Sequence, residues 1–168
     1  KSIGGGMPVA AYGMRAEVAA QIQQRIEVDL SDTGGIGGTL SGNALALAAI
    51  RATLQHVLTE KAYARTIPMA DWFTAGVESV IREFGLPWIV KQLGCRAEYW
   101  FRPTPPRNGA EAAAAMDAEL DRYMHLAALN RGILMTPFHN MALLSPAHVD
   151  ADVDAHTEVF DAALATLT

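Results

Sequence analysis

The chain is short of cysteine, of positive charge and of long apolar runs, and each shortage removes a class of protein. Cys95 is the single cysteine among 168 residues. It cannot close an internal disulfide, so a buried, inert thiol and a reducing, cytoplasmic setting are expected. Thirteen Lys and Arg stand against eighteen Asp and Glu, a formal net charge of −5. Nucleic-acid surfaces need a basic field, so no nucleic-acid partner is expected. No apolar run approaches the ~18 residues of a membrane span, and no basic stretch leads into an apolar one as in a secretory signal. His148, Asp150, Asp152, Asp154 and His156 alternate as if to hold a metal. On a helix, alternate residues face different sides, and the run lacks the glycine and glutamate of a calcium loop. No metal is expected, and Asp150 is read as a helix N-cap.

What is present is a chain that is 51% hydrophobic, enough for a real core. It opens on Lys1 rather than Met, directly before a glycine cluster. A self-sufficient domain rarely begins at its most functional-looking residue, so the chain is expected to be the C-terminal part of a longer polypeptide.

Patterning gives the order of elements. Met7–Tyr12 is an apolar run after glycines and reads as a buried strand. Arg15–Arg25 reads as a helix, Val28–Thr39 as a loop, and Ser41 to about Leu58 as a helix apolar on several sides and so largely buried. Ser41 or Asn43 supplies its cap. A helix beginning near Pro68 stops at Gly85-Leu86-Pro87. Ile89–Leu93 and Arg96–Phe101 read as a hairpin around Gly94-Cys95. A proline-rich loop follows, then one helix over Ala110–Asn130. Short strands are expected at Ile133–Thr136 and Met141–Leu144, and an amphipathic helix over Val149–Leu167. Trp72, Trp88 and Trp100 are assigned to core or domain-interface packing.

The expected fold class is α/β passing to α+β. Residues 1–58 finish one α/β layer, 59–84 form a linking helix, and 85–168 form a small domain with a short antiparallel sheet covered by helices.

Two segments carry chemistry. In Lys1-Ser2-Ile3-Gly4-Gly5-Gly6, an amine that loses its proton can condense with an aldehyde, and the glycines let a flat ring approach the backbone. Alone, the lysine reads better as a solvated surface residue. Gly37-Gly38-Thr39-Leu40-Ser41-Gly42-Asn43, at a helix start, combines backbone N–H groups with two hydroxyls and suits an anion; alone it is equally a capped loop. It is not a P-loop, because no lysine follows at the required spacing. In series, the two segments suit a cofactor bearing both an aldehyde and a phosphate.

KSIGGGMPVAAYG followed by GGTLSGNALALAA resembles the class III, fold-type I pyridoxal-phosphate aminotransferases, which include amine transaminases and glutamate-1-semialdehyde aminomutase. The resemblance implies that Lys1 forms the Schiff base with pyridoxal 5′-phosphate, and that Gly38 and Thr39 bind the phosphate of the cofactor in the neighbouring subunit of a homodimer. It implies small-molecule partners, an amine donor and a keto or aldehyde acceptor. The Leu129–Leu134 segment and the final helix resemble the family's C-terminal domain. An aminomutase, or a non-catalytic piece kept for dimer contacts, remains the alternative. The family's phosphate loop, ring-stacking aromatic and pyridine-pairing aspartate lie before the lysine and are not in this chain. By the same resemblance, Leu143 stands where many members place a carboxylate-binding arginine. Arg102 is either a substitute for it or a structural arginine.

Overall fold

The computed structural model describes residues 2–24, 38, 40–136 and 139–167. The chain divides into two compact units, Lys1–Thr59 and Glu60–Thr168.

The first unit holds a short 3-10 turn at Ser2–Gly4, helix α1 (Ala16–Gln23) and helix α2 (Ala44–His56). Asn43 caps α2, its side-chain oxygen accepting from the Ala46 N–H at 2.9 Å. Of the two expected caps, Asn43 is the one used. The strand expected over Met7–Tyr12 does not form, and Pro8–Tyr12 is irregular and largely exposed. An apolar run becomes a strand only by pairing, and no described residue of this unit is in a strand. The burial expected of α2 is also absent. Leu45, Leu47 and Leu54 are exposed, while Ala46 and Thr53 are covered. A helix apolar on several sides needs cover on several sides, and the Ser2–Gly4 turn covers one.

The second unit begins with α3 (Glu60–Glu83), which starts well before Pro68 and runs through it. Arg65 ties the leading turns down by donating to the carbonyls of Pro146 (3.2 Å) and His148 (2.8 Å), so the single N–H that proline lacks is tolerated. Gly85, at φ +61°, ends the helix. Strands β1 (Ile89–Leu93) and β2 (Arg96–Trp100) form the expected antiparallel hairpin, with Val90 opposite Tyr99 and Gln92 opposite Ala97. The short strand β3 (Met141–Leu143) joins β2 antiparallel, Ala142 opposite Ala97, giving the order β1-β2-β3.

The expected Ala110–Asn130 helix is two helices, α4 (Gly109–Ala114) and α5 (Ala118–Leu129). Asp117 causes the break: its carboxylate accepts from the N–H groups of Glu119 (3.1 Å) and Leu120 (3.0 Å), which starts a new helix. Ile133–Thr136, expected as a strand, is irregular for want of a ladder partner. Helix α6 (Asp150–Leu167) closes the chain. Its cap position falls on Val149 rather than Asp150. Asp152 reaches back to accept the Val149 N–H at 2.8 Å, half of a capping box, and Asp150 sits in the first turn.

The core of this unit is one cluster. Met69, Phe73, Val77 and Ile81 of α3 meet Val153, Phe160 and Leu164 of α6, with Val90, Ala97, Tyr99 and Ala142 from one sheet face and Met124 and Ala128 from α5. Trp88 is half-buried against it, 4.6 Å from the Phe101 ring, and Trp100 is half-buried in β2. Trp72 is exposed on α3, so core packing does not extend to it. Among the described residues no helix is long and apolar enough to cross a membrane.

Candidate functional site

In the first unit the glycine cluster after the lysine is seated on α2. Gly5 takes φ +57°, and a β-carbon there would stand 2.9 Å from the Thr53 hydroxyl. A β-carbon on Gly4 would collide with the Val9 side chain, whereas Gly6, at φ +99°, has no described residue within 4 Å of where its β-carbon would stand. The three glycines were expected to leave room for a flat ring. Two of them instead let the chain close on itself, and Gly6 is the open one. Lys1 lies outside the described residues.

The second glycine turn folds tightly into the start of α2. Ser41 N–H donates to the Gly38 carbonyl (3.1 Å) and Asn43 N–H to that of Leu40 (3.4 Å). These two amides are spent within the turn and are not offered to an anion. Gly38, at φ +71°, has no described residue within 4 Å of where a side chain would begin. No described residue stands in the way of a phosphate at the Gly38 backbone, in the turn that leads into the Asn43 cap of α2. Thr39 lies outside the described residues, as does the loop expected over Val28–Thr39 apart from Gly38. What the structure does bring together is the two motifs' shared support: one packs along α2 and the other opens it.

In the second unit, Arg102 is held in its own loop, donating to the Glu111 carbonyl (3.1 Å) and the Thr104 hydroxyl (3.2 Å). This is the structural role of its two readings. Leu143 is exposed on β3 and places an apolar group at that position. His148 accepts the Ser145 N–H at Nδ1 (3.0 Å), and among the described residues no three His, Cys, Asp or Glu side chains assemble to hold a metal ion. Cys95 is half-buried rather than buried, because it sits in the hairpin turn. Its Sγ lies 3.0 Å from the Thr66 hydroxyl.

Two polar arrangements were invisible to spacing, since each joins residues far apart in the chain. Glu98, on the sheet face opposite the core, is buried and takes the Arg96 guanidinium at 2.6 Å and His139 Nδ1 at 3.3 Å. Beside it Asp121 accepts from Asn140 Nδ2 at 2.6 Å. Burial raises the Asp121 carboxyl above the ordinary carboxylate range, against the lowering effect of Asn140. These groups edge a pocket of about 200 Å3. The second arrangement is His156, buried on α6 with its ring 4.4 Å from that of Phe73 and its Nδ1 unpartnered. Burial pushes its imidazole down to about 4, so it is neutral. It lines a largely apolar cavity of about 750 Å3 with Met135, Leu144 and Val153.

No protein-family model matches the chain. It is 34% identical over 166 residues to a glutamate-1-semialdehyde 2,1-aminomutase of Thermomicrobium roseum, covering 98% of this chain and 37% of that protein. The crystal structure of a Pseudomonas aeruginosa glutamate-1-semialdehyde aminomutase in complex with PMP superposes with a TM-score of 0.79 at 40% identity, over 96% of this chain and 32% of that one. An omega-transaminase from Sphaerobacter thermophilus gives 0.74 at 30% identity, over 97% and 36%. The chain is homologous to the C-terminal portion of the class III pyridoxal-phosphate aminotransferases. It spans about a third of the length of these class III relatives. Their fold is that of fold-type I transferases, and the helix-covered three-stranded antiparallel sheet agrees with the fold class expected from sequence.

Proposed function

We propose that this chain is the C-terminal part of a pyridoxal-phosphate-dependent aminotransferase that moves an amino group from an amine or amino acid to a keto or aldehyde acceptor. In this reading residues 1–58 finish the cofactor-binding large domain, 59–84 link, and 85–168 are the small domain. The observation that carries it is the homology, which runs through both glycine motifs and nearly the whole chain. The open backbone at Gly38 supports it.

Pyridoxal phosphate, when bound, supplies an electron sink for the carbanion left as a Cα proton departs. Lys1 is the residue assigned to hold the cofactor covalently through its amine. With the cofactor bound, the Lys1 amine would also be the group that takes the substrate's Cα proton as a base and returns it as an acid. Gly38 and Thr39 are assigned to the cofactor phosphate of a neighbouring subunit, which makes a homodimer the working unit. Leu143 offers no bidentate partner to an α-carboxylate, so such a group is held elsewhere or is absent from the substrate. A cytoplasmic setting goes with this reading. Because the chain spans about a third of its relatives, it is proposed to act only with the preceding part.

The test is borohydride reduction of the longer protein carrying this chain, followed by peptide mapping. A pyridoxyl group on Lys1 is expected, and one on any other residue overturns the assignment. Relatives named as aminomutases favour a second reading, in which the group returns to a neighbouring carbon of the same molecule. An amine donor with a separate keto acceptor decides it, since only a transaminase passes nitrogen between two molecules.

A further inference from the structure

We propose that the cavity of about 750 Å3 in the second unit binds a small, neutral, mostly apolar molecule bearing one hydroxyl group, with His156 as its polar partner. All of its lining falls within Glu60–Thr168 and within the described residues. The volume lies in the range of small-molecule sites, roughly 300–1000 Å3, and exceeds the voids that a packed interior leaves. Its walls are set before any occupant arrives. Where α5 ends, Gly132 at φ +88° turns the chain, and the Ile133 N–H donates to the Ala128 carbonyl at 3.0 Å. That bond fixes the departure of the Ile133–Met135 wall. Pairing with β2 holds β3 as a second wall, and Phe73 of α3 with Val153 of α6 forms a third. Leu134 and Leu143 stay exposed at the edge instead of folding in to fill the space.

The lining sets the chemistry of the occupant. Phe73, Met135, Met141, Leu144 and Val153 offer apolar surface. Two polar groups of the lining already have partners: the Thr136 hydroxyl donates to the Met141 carbonyl (3.4 Å), and His148 Nδ1 accepts the Ser145 N–H (3.0 Å). His156 differs. It is 5% exposed, and its Nδ1 has no hydrogen-bond partner among the described residues. A buried polar atom is costly to leave unpaired, and a ligand that pairs it recovers that cost. A hydroxyl both donates and accepts, so it serves Nδ1 in either tautomer. Rotation about χ2 is soft in histidine, so the ring can turn Nδ1 toward such a group. Burial keeps the imidazole neutral at ordinary pH, so it offers no charge to an ionised ligand. Asp152, the one carboxylate of the lining, is exposed and repels an anion. An ionised group of either sign would exchange its water for apolar walls.

The experiment titrates benzyl alcohol, toluene and benzoate separately into the longer protein that carries this chain, read by calorimetry. The two neutral probes are expected to bind once per chain, and benzoate is not. His156→Phe keeps a ring against Phe73 and removes the ring nitrogens. There the affinity of benzyl alcohol relative to toluene is expected to fall about three- to ten-fold, while toluene still binds. Leu144→Trp fills the cavity and is expected to abolish both, provided that thermal unfolding shows the variant folded. Should it fail to fold, the ratio in His156→Phe decides alone. An unchanged ratio there, binding that survives a folded Leu144→Trp, or benzoate binding as tightly as the alcohol overturns the proposal. So does a lack of any binding, as when the preceding part of the longer protein already fills the cavity.

Discussion

Gly5 and Thr53 meet so closely that the glycine cannot gain a methyl group without displacing the threonine hydroxyl. The contact fixes the approach of the glycine turn to α2 and gives the first prediction. Gly5→Ala incurs both the left-handed backbone cost and the collision, about 1–3 kcal/mol together, seen as a lowered denaturation midpoint of the first unit. Gly109→Ala is the control. It lies in a helix with nothing within 4 Å of a new β-carbon, and is expected to be neutral or to stabilise by up to about 1 kcal/mol.

His156 predicts acid sensitivity. Its folded imidazole is held down at about 4 while the unfolded chain keeps the ordinary value of 6.5. Between these two the unfolded state binds the extra proton, so stability rises with pH across that window. The contribution is complete above the unfolded value and is lost progressively as pH falls toward 4, about 3 kcal/mol in all. Urea midpoints at several pH values should drop less steeply through that range for His156→Leu than for the native chain. Parallel slopes would remove His156 from the account.

Asp117→Ala removes two N–H acceptors at the head of α5 and is expected to cost about 1 kcal/mol. Thermal unfolding reads the loss. Asp117→Asn retains the cap oxygen and should recover most of it.

Tyr123→Phe leaves the Ala163 carbonyl of α6 without the hydroxyl that donates to it at 2.7 Å. The packing is unchanged, so the expected cost is that of one part-buried acceptor, about 1–2 kcal/mol by chemical denaturation. This bond links α5 to α6, and amide exchange in the last turns of α6 should quicken in the variant.

The hairpin and the final helix were legible from sequence because their signals are local. Gly94-Cys95 lies between two β-rich runs, and Val153, Phe160 and Leu164 recur at helical spacing. What failed was whatever depends on a partner. Pro8–Tyr12 and Ile133–Thr136 have strand composition, yet no neighbouring strand takes up their backbone groups. The leucines of α2 are apolar enough for a core and find little to cover them. The break before α5 turned on one carboxylate, Asp117, inside an alanine-rich stretch that reads as continuous helix. Of the candidate site, the glycine motifs were readable because unusual backbone leaves its mark as glycine. The Glu98–His139 pair was not, since nothing in the spacing of those residues announces their meeting.

The sheet order carries a kinetic consequence. β1 and β2 are joined by a tight turn and can zip together quickly, whereas β3 reaches β2 only after the proline-rich loop, α4 and α5 have been threaded past. The hairpin with α3 is thus the natural nucleus, and the edge of β2 stays bare until late in the search. During that interval this bare edge is where two unfinished molecules would most readily stick to each other.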